Sequence, residues 1–222
     1  MPWFWVLLWA GGLVWANPLL VEGRFAEAYQ QGRTAGGAGW LLAAQAANLH
    51  ASYIATGDSE IGKWFALGQE AAQRALEFNA QSAEAHFELA RSIGGQLSQQ
   101  NLLGRAANVR VMRDHLQQAL RLRPDYPEAK AALAVWHLEV AQAGVGWLYG
   151  ANTHQVRPLF EEALRLEPNS ILIRVWYAQV LVKLGAAQQA RIQLEHALRL
   201  TPRNAVEVFE QGFARERLHN LR

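Results

Sequence analysis

The chain has no cysteine, so disulfides, thiolate nucleophiles and thiolate metal sites are all excluded. Charge is scarce as well. Asp, Glu, Lys and Arg make up 18% of the residues, and the formal net charge is only +2. That balance is too weak to suggest the clustered basic face nucleic acid demands, so no nucleic-acid partner is expected. The first 21 residues carry no charged side chain at all. No strand pattern and no second domain stand out along the rest. What the chain does have is apolar bulk. Of its 222 residues, 51% are hydrophobic, enough for one globular body with a sizeable core.

The apolar residues follow a refrain. Leu116-Gln-Gln-Ala-Leu-Arg-Leu-Arg-Pro124 returns as Phe160-Glu-Glu-Ala-Leu-Arg-Leu-Glu-Pro168 and as Leu194-Glu-His-Ala-Leu-Arg-Leu-Thr-Pro202. A looser copy runs from Ala72 to Ala80. The alanine of the refrain recurs at Ala75, Ala119, Ala163 and Ala197, in steps of 44, 44 and 34 residues. Self-similarity on this scale predicts stacked repeats.

Each part of the refrain has a mechanical reason. The large residue and the Leu four later share a helical face, and the alanine between them admits a neighbouring helix. Arg121, Arg165 and Arg199 stand in the last turn, where cations suit the negative helix end. Proline then stops the helix. A new start follows, at Asp125 with Glu128 three residues on, or at Asn169-Ser170. Such a unit cannot bury its apolar face alone.

The pattern predicts helices over 18–32, 40–55, 58–79, 82–93, 106–122, 128–147, 152–166, 170–184 and 186–200. A break is expected at Gly94-Gly95 and a loop over 98–104. The helix expected from Ala205 to Leu218 reads as a cap on the stack.

The refrain resembles the tetratricopeptide repeat (TPR). In that family the second helix carries a large residue, Ala three later and Pro five after that, as in Phe160, Ala163, Pro168 and Leu194, Ala197, Pro202. First helices carry Leu or Tyr beside a small residue, matched by Leu89-Ala90, Leu133-Ala134 and Tyr177-Ala178. The last unit has the family's usual period, and the two before it carry ten extra residues each, which implies longer helices or longer connections. The resemblance covers roughly Gly39 to Pro202. It implies an all-α, right-handed superhelix of antiparallel helix pairs. Its first helices should line a concave groove for a protein or peptide partner, with Arg91, Val135 and Gln179 at the central positions and Glu139 and Lys183 one turn further. The Asn positions of the chaperone-binding TPR clamp are missing, so that function does not follow. Within the TPR proteins, Trp136-His137-Leu-Glu139-Val140, Gly150-Ala151 and Phe160 to Leu164 are similar to the regulator-of-microtubule-dynamics group.

The N-terminus gives a separate expectation. Trp3 to Trp15 is apolar, and Val14-Trp15-Ala16 has the small-x-small form of a signal-peptidase site. Thirteen apolar residues read better as a signal-peptide core than as a membrane span, although no Lys or Arg precedes them. Residues 1–16 are expected to be a cleaved signal peptide or a retained N-terminal anchor, with residues 17–222 a single helical-repeat domain. The protein would then be exported to the periplasm or beyond, or anchored, touching membrane only through that segment if it is uncleaved. With an export signal, a cytoskeletal role does not follow.

Catalytic and cofactor motifs fail in context. Gly57-Asp-Ser-Glu-Ile-Gly62-Lys63 looks like a phosphate loop, but Trp64 stands where magnesium needs Ser or Thr, and no strand precedes it. His137-Leu-Glu139 has the form of a zinc deaminase site without its later ligands. The seven histidines show no pair at H-E-x-x-H spacing. Glu161-Glu162 reads as a solvated face, and no nucleophile elbow is present. No cofactor and no catalysis are expected. Trp136, Trp147, Trp176 and Tyr177 read as core aromatics or as a binding wall. The leading expectation is a non-catalytic scaffold whose groove holds a protein segment, in the cell envelope. The alternative is a small-ligand or transport-associated binder, with a pocket closed by long helices near Trp136, His137 and Trp147.

Overall fold

The computed structural model describes residues 17–97 and 100–221. The proposed signal or anchor segment therefore lies outside the described residues. Among the described residues the chain forms twelve α-helices, one 3-10 turn and no strand. After α1 (Pro18–Val21) come α2 (Phe25–Ala35), α3 (Gly39–Tyr53), α4 (Asp58–Phe78), α5 (Ala83–Gln96) and α6 (Leu102–Leu122). Next are α7 (Pro127–Gln142), the single turn α8 (Gly146–Tyr149), a 3-10 turn (Thr153–Gln155) and α9 (Val156–Leu166). The chain closes with α10 (Ile171–Lys183), α11 (Ala187–Arg199) and α12 (Ala205–Asn220).

The pairs α3/α4, α5/α6, α7/α9 and α10/α11 pack as successive antiparallel units of a TPR-like right-handed superhelix. The refrain explains why. Ala119, Ala163 and Ala197 are fully buried, in α6, α9 and α11, at the same place in each pair. Phe160 stacks on Tyr177 at 4.8 Å, so the large residue of one unit packs on the first helix of the next. The ten extra residues go into α6, which is 21 residues long, and into the connection holding α8.

Several boundaries differ from expectation, each for a local reason. The helix expected over 18–32 is two, because Gly23 turns at φ 78° between them. Gly94 and Gly95 do not interrupt α5. A Cβ on Gly95 would meet the Phe65 ring at 2.4 Å, so this glycine serves close packing rather than a break. The loop expected over 98–104 gives way to α6 at Leu102, because Asn101 caps it by accepting the Gly104 N–H at 2.9 Å. The helix expected over 128–147 ends at Gln142, just before Gly144 at φ 77°. Asp125 does not cap α7. Pro127 occupies its first position, Tyr126 is the cap residue without a side-chain bond, and Glu128 is half-buried. Ser82, Ser170 and Asn204 do cap, accepting from Ala85, Ile173 and Glu207.

The C-terminal helix does more than cover the last pair. α12 packs on α10 and α11 and also returns to α1 and α3. Val206 shares a buried cluster with Leu20 and Phe25, at the opposite end of the chain. A Cβ on Gly23 would stand 2.9 Å from Ala205 Cβ, so α1 and α12 nearly touch. The superhelix is thus closed along one side.

Candidate functional site

Closure makes the concave face a cavity of about 620 Å³. The first helices α3, α5, α7 and α10 line it, α6 supplies Val109 and Met112, and α12 forms a further wall. Its surface is mostly apolar and aromatic, with Phe65, Phe87, Trp136, Trp176 and Phe213 among the lining residues.

The five residues that the TPR register places in the groove, Arg91, Val135, Glu139, Gln179 and Lys183, line this cavity together with Trp136. Arg91 donates to Ser52 Oγ at 3.2 Å and lies 3.9 Å from Glu88 Oε2. Trp136 is 2% exposed, and its indole N–H donates to the Val109 carbonyl at 2.9 Å. Lys183 and Glu139 form an ion pair between α10 and α7, both about half exposed. That exposure keeps its stability contribution small and leaves it free to exchange for a ligand's charge.

His137 and Trp147 are not among the lining residues. His137 Nδ1 accepts the Asn152 N–H at 3.0 Å, which ties the α7–α9 connection to α7. Burial, helped by Arg113, lowers its pKa from the ordinary histidine value. Trp147 projects into solvent at 84% exposure. A pocket built around Trp136, His137 and Trp147 is therefore corrected to one that keeps only Trp136. Tyr177 belongs to the core. Glu161 is exposed, and exposed Glu162 takes Lys130 as its partner at 2.8 Å.

The sequence reading missed the residues that α3 and α12 bring in. Tyr53 Oη donates to Glu210 Oε1 at 2.6 Å. Tyr53 also stacks on Phe209 and Phe213, at 5.5 and 6.3 Å. Burial raises the Glu210 carboxyl pKa to about 6 against the opposing pull of Tyr53 and Arg217. Its Oε2 is buried and accepts no hydrogen bond of good geometry. Burial and the Glu210 charge hold the Tyr53 phenol well above its usual value. The available signal was the spacing of Phe209 and Phe213, four apart on one face of the last helix.

Behind Arg91 lies a buried polar chain. Asn48 Nδ2 donates to Glu88 Oε2 at 2.7 Å, and Ser92 Oγ donates to Asn48 Oδ1 at 2.8 Å. Gly68 makes room for it, since a Cβ there would meet Asn48 Oδ1 at 2.4 Å. The chain holds Arg91 toward the cavity from a fully supported base.

Among the described residues, no group of three or more His, Asp or Glu is arranged to hold a metal ion. None of the described helices is long and apolar enough to cross a membrane.

Helix pairs at refrain spacing around a concave cavity define a TPR-like helical-repeat protein. The model of the family described as regulator of microtubule dynamics protein 1-3 matches residues 26–220, and the chain belongs to that family. No curated protein matches the chain. Two crystal structures of MamA are similar to it. One has 13% identity and a TM-score of 0.43, covering 87% of this chain and 92% of that one. The other has 15% identity and a TM-score of 0.41, covering 79% and 88%.

Proposed function

We propose that the protein is a non-catalytic binding scaffold whose concave cavity takes an apolar segment of a protein partner. One observation carries this reading: the first helices of three successive units turn Arg91, Val135 and Gln179 onto one largely apolar cavity. Apolar side chains of a partner would fill the space between Phe87, Trp136 and Trp176. Burial of that kind supplies about 1.5–3 kcal/mol per large side chain. Arg91 and the exchangeable Glu139–Lys183 pair would fix the segment's polar groups at the rim. The protein works in the cell envelope, exported or held by residues 1–16.

A second reading has its own observation. α12 walls the concave face along one side, and about 620 Å³ lies within the size range of small-molecule sites. A compact apolar ligand between Trp136 and Trp176 would then replace the protein segment.

Affinity capture from the native envelope separates the two. The scaffold reading expects one stoichiometric protein partner, lost when Arg91→Ala and Gln179→Ala are combined in a chain that still folds. Copurification of a small molecule with no protein, and Trp fluorescence that responds to it, would replace the scaffold by the ligand binder.

A further inference from the structure

Among the described residues, three glutamates are almost fully buried: Glu88, Glu207 and Glu210. Two of them have a cationic partner. Glu88 takes Arg91 as well as Asn48, and Glu207 takes both the side chain and the backbone N–H of Arg203. Glu210, 3% exposed, forms no ion pair. Its Oε1 accepts from the Tyr53 phenol at 2.6 Å, and its Oε2 is left over.

Other buried polar atoms also lack a partner among the described residues: His50 Nδ1, Arg123 Nε and Arg174 Nε. None of those residues lines the cavity, whereas Glu210 does. The two arginines that act on Glu210 through charge are engaged elsewhere. Arg91 donates to Ser52 and leans on Glu88, and Arg217 lies over the Phe213 ring at 5.3 Å. The Trp176 indole faces the carboxyl from α10 without completing a bond to Oε2. A buried carboxylate with an open oxygen is costly unless a donor arrives to meet it.

We infer that Glu210 is the polar anchor of the cavity, and that the partner segment meets it with a basic side chain, an ammonium or guanidinium set among apolar residues. The inference rests on the cavity being the binding site. A charge-assisted N–H bond is the strongest match for an open carboxylate oxygen in apolar surroundings. The apolar stem of Lys or Arg also suits the aromatic lining.

Three probes with one ten-carbon chain and different heads test the anchor: decylammonium, decanol and decanoate. Each is titrated into the full chain below its micelle concentration, and binding is read from the fluorescence of Trp136 and Trp176, which line the cavity. Decylammonium should bind roughly tenfold or more tighter than decanol. General attraction cannot produce that order, because the net charge of +2 favours decanoate. Glu210→Gln keeps an acceptor for Tyr53 and removes the charge, so it should bind decylammonium no better than decanol. The wild-type series decides even if that variant does not fold. Equal binding of all three probes, or a preference for decanoate, overturns the inference while leaving the cavity an apolar binding site. A preference that survives Glu210→Gln and is lost in Glu139→Gln moves the anchor to the rim and also overturns it. Binding of no probe overturns the inference together with the apolar-cavity reading beneath it.

Discussion

Tyr53 and Glu210 stand 157 residues apart in sequence and share a 2.6 Å hydrogen bond. This contact joins the third helix to the last and closes the groove along one side. Its strength should follow pH. The Glu210 carboxyl binds its proton more tightly folded, at about 6, than unfolded, at 4.5. A raised carboxyl pKa stabilises the fold fully below the unfolded value, and that contribution is lost as pH rises through the folded one. Docking of α12 should therefore weaken between about pH 4.5 and 6, by about 2 kcal/mol. Hydrogen exchange of the α12 amides across this range, in the wild type and in Glu210→Gln, reads the effect. The variant should show a flatter profile.

Glu128 should behave in the same direction over a wider window. Burial at the start of α7 raises its pKa to about 7. Its ionisation therefore opposes folding as pH climbs from 4.5 to 7. Glu128→Gln should raise stability at pH 8 by about 3 kcal/mol and leave it nearly unchanged at pH 4. Urea unfolding at the two pH values is the measurement.

Two small residues hold the stack together by closeness. Ala163→Leu should destabilise by about 1–3 kcal/mol, because α9 has no room for the added methylene groups. Gly68→Ala should also destabilise, although alanine is the better helix former by about 1 kcal/mol. The new Cβ would strike Asn48 Oδ1 and break the chain that supports Arg91. Thermal unfolding decides both, and a rise in melting temperature for Gly68→Ala would refute the packing argument.

Export is tested at the N-terminus. Sequencing of the protein from its native host should begin at Asn17. An intact Met1 on membrane-bound protein favours an anchor, and an intact Met1 on soluble cytoplasmic protein contradicts export.

The refrain made the pair architecture legible, because proline, alanine and the large residue each have a single mechanical use in stacked helices. Its register also reached Arg91, Val135 and Gln179, since residues at equal steps of 44 repeat the same position on successive first helices. Helix ends were read less well. Gly94 and Gly95 look like breakers in sequence, but they face Met112 and Phe65 in space. The closure by α12 was out of reach, because no local signal pairs Glu210 with Tyr53 or Val206 with Leu20. His137 shared a helix with the groove residues but binds the Asn152 amide, a partner fifteen positions along an irregular connection.

The central claim is that the cavity receives an apolar protein segment, and photocrosslinking from inside it is the most direct test. A photoreactive amino acid is placed at Val135, which lines the cavity, and separately at Phe78, which lies on the outer surface. Both full-length chains are irradiated in the native host and the adducts are read by mass spectrometry. The account predicts that position 135 crosslinks to peptides of one partner protein, at apolar residues, and that position 78 does not. Adducts at 135 that are only small molecules, or the same protein set at both positions, would contradict it.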